Sequence, residues 1–152
     1  MLAAVFSALH LLALGVGLGA VFARGRTLRA VAGGDTSAVA RVLFADNLWG
    51  IAAVLWIATG LTRLFGGFEK PLDFYLYNGL FWVKMGMCGA VFALEILPMT
   101  TFIGWRAAMR RGVAVDTRRA ASLVRINDFE TALVVLIPFV AAGMARGLWL
   151  FA

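Results

Sequence analysis

The segment MLAAVFSALHLLALGVGLGAVFARGR, residues 1–26, decides the fold of this chain. Its long apolar part carries no charge, and basic residues follow it at Arg24, Arg26 and Arg29. A helix needs about 20 apolar residues to cross roughly 30 Å of hydrocarbon, and it satisfies its own backbone hydrogen bonds there. The segment therefore predicts a first membrane span over about residues 2–23. Because its apolar run is long and precedes the basic residues, we expect a mature helix and not a cleaved signal peptide.

The composition extends this interpretation to the whole chain. Of its 152 residues, 62% are hydrophobic and 14% are charged, against roughly 45–50% apolar content in soluble domains. The apolar residues form four long blocks, at about 2–23, 39–66, 75–105 and 120–151. They predict an all-α polytopic membrane protein, an antiparallel four-helix bundle that fills 1–152 as one integral membrane domain in contact with the lipid bilayer.

The basic residues are concentrated in two connections. The net charge is +6, and ten of the fourteen Lys and Arg residues flank the first and third connections between spans. These ten are Arg24, Arg26, Arg29, Arg41, Arg106, Arg110, Arg111, Arg118, Arg119 and Arg125. The positive-inside bias explains them better than recognition of nucleic acid or of anionic lipid. We therefore expect a bacterial inner membrane protein with both termini on the periplasmic side and no nucleic-acid partner.

Four nitrogen-bearing side chains are expected in the outer half of the bundle. His10, the only histidine, and Lys84 lie about eight residues, or ~12 Å, inward from the outer ends of their spans. Arg63 and Arg146 lie nearer the outer surface. Basic side chains near helix ends commonly extend to the interface, and a buried histidine commonly packs. The alternative is a site for a flat anionic ligand, in which His10 ligates a haem iron and the three cations pair with propionates.

Four acidic residues and one asparagine are expected in the inner half. They are Asp46, Asn47, Glu95, Asp128 and Glu130. An ionisable group inside a membrane span costs several kcal/mol unless it is paired or hydrated, so each carboxylate needs a partner. We expect Glu95 to contact Arg125 or Asn47, and Lys84 to contact His10 or a ligand carboxylate.

Two short motifs resemble those of a known family. They are Leu9-His10 with Phe22 and Arg26 in the first span, and Trp82-Val83-Lys84 in the third. They resemble the motifs of the HemJ-type protoporphyrinogen oxidases, within a wider group of small helical bundles that includes the CopD-like proteins. The resemblance implies binding of haem b or a porphyrin at His10 and Lys84, with a redox role. Further histidines of that family have no counterpart here, and Glu95 stands roughly where one of them would be, so the sequence leaves open whether the protein is an enzyme.

Two other functions are compatible with the sequence. A small transporter or permease component would use the acids and bases of the third and fourth spans, with Pro98 and Pro138 as gates. Copper is a poor substrate because the chain has one cysteine, one histidine and scattered methionines. A non-catalytic partner subunit would use its polar residues to fix helix register, and homo-oligomerisation remains open.

Overall fold

The computed structural model describes residues 1–67 and 70–151, and helices make up most of this part of the chain. Its helices are α1 (Leu2–Ala32), α2 (Val39–Phe65), α3 (Leu72–Leu76), α4 (Gly79–Arg110) and α5 (Ala120–Ala145), with a 3-10 turn at Thr36–Ala38 before α2. Four helices, α1, α2, α4 and α5, are long and apolar enough to cross a membrane. No strand is present in these two ranges, so the predicted all-α fold with four spans is confirmed.

The four spans pack unequally. α1 lies along α2 and also contacts α5, and α5 contacts α4, whereas α2 and α4 touch over a short stretch only. The bundle therefore has an open side between α2 and α4. We call the end that carries the connections 33–38 and 111–119 the basic end, and the opposite end, which carries residue 1 and the connection 66–78, the terminal end.

α1 extends nine residues beyond its predicted limit of 23, to Ala32. The prediction placed Arg24 in water at the end of the span, but the side chain of Arg24 is completely buried in the bundle. Because its charge is compensated inside, the helix continues to Ala32. The backbone N–H of Gly33 donates to the carbonyl of Arg29, and that of Gly34 donates to the carbonyl of Val31. Arg29 has an exposed side chain and marks the polar surface of this end.

α4 also differs from its prediction of 75–105, because it begins at Gly79 and ends at Arg110, and it passes through Pro98 without interruption. The hydroxyl of Thr101 donates to the carbonyl of Leu97 (2.8 Å) in the turn that follows the proline. Such side-chain bonds and packing against neighbouring helices help a membrane helix to tolerate proline. α5 likewise continues through Pro138.

The segment after α5 turns back onto the start of α4, so the prediction of a helix to 151 is wrong in its last turns. Trp149 adopts a positive φ of 58° and its carbonyl accepts the Gly79 N–H at 3.0 Å. The Phe151 N–H donates to the carbonyl of Tyr77 at 2.9 Å. A Cβ on Gly79 would lie 2.7 Å from the Trp149 ring, so a glycine is needed at that contact. The α3–α4 connection is thereby closed by the end of the chain.

Candidate functional site

Arg24 stands at the centre of a buried polar cluster that we call the Arg24 centre. Its members are Arg24, Asp46, Glu95, Asn127 and Glu130. Nε donates to Asn127 Oδ1 at 2.8 Å, and Nη1 donates to Asp46 Oδ1 at 3.1 Å and to Glu95 Oε1 at 2.6 Å. Nη2 donates to Glu95 Oε2 at 3.1 Å and to Glu130 Oε2. All five guanidinium N–H groups are therefore used.

Every span contributes to this centre, and α5 can approach α1 because of Gly25. A Cβ at Gly25 would lie 2.5 Å from Asn127 Nδ2. Nδ2 donates to the carbonyl of Val21 at 3.1 Å, so the amide of Asn127 bridges the α1 backbone and the Arg24 side chain. The missing side chain at Gly25 is thus part of the geometry that holds Arg24.

α1 and α2 meet through two rows of residues spaced by seven. His10, Gly17 and Arg24 follow one face of α1, and Trp49 and Trp56 follow the facing side of α2. Trp49 packs on Gly17, where an added Cβ would lie 3.2 Å from its ring, and the Arg24 Cζ lies 5.8 Å from the ring centroid of Trp49. The indole therefore covers the guanidinium on the side facing the terminal end.

The charges of the cluster do not cancel. Asp46 also accepts a hydrogen bond from Arg106 Nη2 at 2.7 Å, so three carboxylates face two guanidinium groups. Glu95 Oε2 and Glu130 Oε2 both accept from Arg24 Nη2, which brings the two carboxyl groups side by side, and Glu130 Oε1 has no hydrogen-bond donor among the residues described. When two carboxyl groups share a site, repulsion between their charges favours binding of a proton by one of them. One bound proton would make the three carboxyl groups and the two guanidinium groups neutral together.

His10 is held in the half of the bundle nearer the terminal end. Its Nδ1 lies 2.9 Å from Thr59 Oγ1, and its ring stacks on Trp56 at a centroid distance of 5.6 Å. The Thr59 hydroxyl itself donates to the carbonyl of Leu55 at 2.7 Å. A hydroxyl that donates to Leu55 is able to accept from the imidazole, and this arrangement favours the tautomer with a proton on Nδ1. Gly60 permits the close packing, since a Cβ there would lie 3.3 Å from His10 Cε1.

Lys84 does not form the expected hydrogen bond with His10. Its half-buried ammonium lies 5.7 Å from the centroid of the Phe81 ring and has no hydrogen bond or ion pair with the described residues. Arg63, also half-buried, lies in the last turn of α2. Arg146 is exposed just beyond α5. Of the three outer cations, Lys84 and Arg63 are thus partly buried and Arg146 is not.

The acidic residues were predicted to gather in the inner half, and three of the four do. Asp128 is the exception, because its half-exposed carboxylate pairs with Arg29 at 2.5 Å on the outside of the bundle. Asn47 Oδ1 accepts from Arg106 at 2.8 Å, and among the described residues Asn47 forms no hydrogen bond with Glu95. The expected partner of Glu95, Arg125, is exposed, and Arg24 takes its place.

Comparison with known families covers nearly the whole chain. The family described as "Predicted membrane protein (DUF2214)" matches residues 2–148, which include all four spans and the Arg24 centre. The chain belongs to the DUF2214 family. Neither the curated proteins nor the solved structures contain a significant match. Membership of the DUF2214 family agrees with the predicted membrane protein, while the HemJ-type resemblance stays a prediction.

Sequence reasoning missed the central residue of this DUF2214 protein. Arg24 was assigned to the basic flank of the first span because arginine at a helix end is ordinarily a positive-inside residue. One feature of the sequence indicated a buried position for Arg24. It lies seven residues after Gly17 and fourteen after His10, so the three residues share one face of the helix.

The described residues hold no group of three or more His, Cys, Asp or Glu side chains arranged for a metal ion. The carboxylates of the Arg24 centre surround a guanidinium instead. A cavity of about 10 Å³ lies next to Trp56, between α1, α2 and Val134 of α5, which is room for roughly one water. A flat cofactor held by His10, Lys84 and Arg63 would therefore lie on the open side of the bundle that faces lipid.

Proposed function

We propose that this protein translocates protons across the membrane, with the Glu95–Glu130 pair of the Arg24 centre as the proton-binding site. The observation that carries the proposal is that these two carboxyl groups accept from the same nitrogen, Nη2, of a single buried guanidinium. Intramembrane carboxyl groups mark proton relays and ion pathways by default. Since Oε2 of Glu130 accepts from Arg24, Oε1 is the atom left to hold a proton.

From Glu130 to the basic end, a proton would pass side chains that are increasingly exposed. The side chain of Glu130 is 0% exposed, that of Asp46 is 12%, that of Glu95 is 23% and that of Arg106 is 29%. A proton shared by Glu130 and Glu95 therefore needs one transfer, from the buried to the partly exposed carboxyl, to reach the polar groups at this end. Arg24 contacts both carboxylates and stabilises whichever of them is charged.

The route to the terminal end passes the two tryptophans. The cavity of about 10 Å³ is lined by both Trp49, which covers Arg24, and Trp56, on which His10 stacks. The buried Trp56 Nε1 has no acceptor among the described residues and is suited to hold one water in that cavity. His10, the group whose ordinary pKa is closest to neutral pH, then stands between this cavity and the terminal end.

The test is proton flux into proteoliposomes that contain a pH-sensitive dye, driven by a potassium diffusion potential. Wild-type protein is expected to acidify the lumen faster than protein-free vesicles do. Glu130→Gln should reduce the rate to that background, because an amide cannot exchange the proton. Asp128→Asn is the matched control: it lies on the same helix two residues away and removes a carboxylate whose partner is at the surface.

Absence of flux above background in the wild type would overturn the proposal. So would equal loss in Glu130→Gln and Asp128→Asn. The first result would favour the alternative in which the Arg24 centre only fixes helix register in a non-catalytic partner subunit. Size-exclusion profiles of the three proteins establish that each is folded before reconstitution.

A second candidate function is binding of haem b or a porphyrin, and the half-buried ammonium of Lys84, which has no ion pair with the described residues, favours it. A membrane-embedded ammonium without an acidic partner suits a ligand carboxylate such as a propionate. His10 would ligate the iron, and the bound group would supply electron-transfer chemistry. A Soret band in protein purified from haem-replete cells, abolished in His10→Ala and weakened in Lys84→Met, is expected. An unchanged band in His10→Ala, or no band in the wild type, would contradict it.

We also propose that the basic end faces the cytoplasm of a bacterial cell and that both termini are periplasmic. The support is the excess of arginine in the two connections of that end. In a Cys88→Ser background, a membrane-impermeant maleimide should label Leu72→Cys in intact spheroplasts and should label Arg118→Cys only after lysis. The reverse pattern would invert the topology.

A further inference from the structure

An open cavity of about 530 Å³ lies at the basic end of α4. Its walls come from a single stretch of that helix, in which three arginines alternate with two apolar residues. The lining residues are Ile103, Arg106, Ala107, Arg110 and Arg111. Of these residues, the proton-translocation argument uses only Arg106, and the cavity faces the outside of the bundle.

The arginines of the cavity differ in how firmly they are held. Arg106 donates from Nη2 to Asp46 at 2.7 Å and to Asn47 at 2.8 Å, so its guanidinium is fixed at the inner wall. Arg111 donates from Nε to the carbonyl of Ala107 at 3.2 Å, which positions its side chain along the helix. Neither Arg110 nor Arg111 forms an ion pair with a described residue. The cavity thus carries positive charge that the described chain does not neutralise.

An apolar stripe leads into this cavity from the membrane-spanning part of α4. Ile96, Met99 and Ile103 are 61%, 52% and 56% exposed. At 100° per residue, they share one face of the helix with Arg106 and Arg110. A ligand that contacts both parts of this face must be amphipathic, with an anionic head at the arginines and an apolar chain along the stripe.

We infer that this cavity binds the phosphate of an anionic phospholipid, with one acyl chain lying along Ile96, Met99 and Ile103. Arg110 and Arg111 pair with the phosphate, since a guanidinium offers paired donors that match phosphate oxygens. Arg106 closes the inner wall and joins the lipid to Asp46 of the Arg24 centre. The charge complementarity and the adjoining apolar face favour a lipid over free phosphate, which could use the arginines alone.

The experiment is native mass spectrometry of the detergent-purified full chain, titrated with phosphatidylglycerol, phosphatidylcholine or inorganic phosphate. The test variant is Arg110→Gln/Arg111→Gln. The control is Arg118→Gln/Arg119→Gln, which removes the same charge from the same connection but outside the cavity. Because the substituted side chains are exposed, all variants should keep the wild-type size-exclusion profile, and the single variants Arg110→Gln and Arg111→Gln repeat the measurement with less perturbation.

Wild type and control should bind phosphatidylglycerol with similar affinity, well above phosphatidylcholine. The test variant should bind roughly 30-fold more weakly, because each basic side chain at a membrane surface contributes about 1 kcal/mol, or about fivefold, to anionic lipid binding. Equal losses in test and control would mean diffuse attraction and overturn the inference. Binding of inorganic phosphate as tightly as the lipid, or equal binding of phosphatidylcholine, would also overturn it.

Discussion

The carboxyl group of Glu130 meets the guanidinium of Arg24 in the middle of the four spans, and neither side chain has any exposed surface. The two residues are 106 positions apart and lie on the first and last helices. Breaking a buried ion pair by removing one partner is costly because the remaining charge loses both its partner and water. The pair therefore connects the first helix to the last one at a buried position, where water cannot take the place of either charged partner.

Arg24→Gln should destabilise the protein by roughly 3–5 kcal/mol, because three carboxylates would be left in the bundle with one guanidinium nearby. Unfolding by denaturant in detergent micelles measures the change. Arg29→Gln is the control, since the Arg29–Asp128 pair is exposed and a surface pair is worth about 0–1 kcal/mol. Similar losses in both variants would show that Arg24 does not hold the centre together.

Gly25→Ala should cost roughly 1–3 kcal/mol, because the added Cβ would lie 2.5 Å from Asn127 Nδ2 and force the amide away from Val21 and Arg24. Gly19→Ala adds the same methyl group to the same helix, where no atom lies within 4 Å. That control should be neutral or slightly stabilising, since alanine favours the helix. A stable Gly25→Ala variant would refute the close α1–α5 approach.

Thr59→Val should release the His10 ring from its fixed tautomer, because it removes the oxygen that lies 2.9 Å from Nδ1 and keeps the side-chain shape. The ring nitrogens, followed by ¹⁵N NMR, are expected to change from one tautomer to a mixture, with a loss of about 1 kcal/mol in stability. Thr62→Val, which removes a hydroxyl bonded to the carbonyl of Ala58, should leave the His10 signals unchanged. An unaltered tautomer in Thr59→Val would exclude this hydrogen bond.

Asp116, in the connection between α4 and α5, should titrate at unusually low pH. Hydrogen bonds from Arg118 lower the pKa of this carboxyl from 3.8 to about 2. Because the folded pKa is the lower one, the stabilisation is present above about pH 3.8 and is lost as the pH falls through about 2. In a ¹³C NMR titration, Arg118→Gln should return the Asp116 midpoint towards 3.8, and Arg119→Gln should shift it less. Equal midpoints in wild type and Arg118→Gln would contradict the pairing.

The fold could be predicted from apolar block length because that signal is averaged over about 20 residues for each span. Its errors came from single residues whose environment depends on other helices. The third span was predicted to end at about 105, five residues before α4 ends, and the continuous apolar composition carried the fourth span through Trp149, where the chain folds back. The hydrogen bonds that reverse the chain there are made with the backbone of Tyr77 and Gly79. Those residues are about 70 positions away, so the local sequence around Trp149 does not predict the reversal.

The candidate site could be predicted in part. Depth along each span placed Asp46, Glu95 and Glu130 together, because rise per residue translates directly into height. Rotation about each helix was less certain: Asp128 differs from Glu130 by only two residues, yet it faces outward to Arg29. Two residues turn an α-helix by about 200°, so the two carboxylates lie on opposite faces.

The rows of residues that join α1 to α2 have one further consequence. Both rows repeat every seven residues, so a shift of α1 along α2 by one repeat, about 10.5 Å, would place His10 against Trp49 and carry Arg24 away from its acids. Smaller shifts would move His10 away from Gly60 and Trp49 away from Gly17, and each ring would then collide with a side chain. α1 and α2 therefore have one favoured register. We expect a rearrangement of the bundle to move α4, which touches α2 over a short stretch only, while α1 and α2 keep their register.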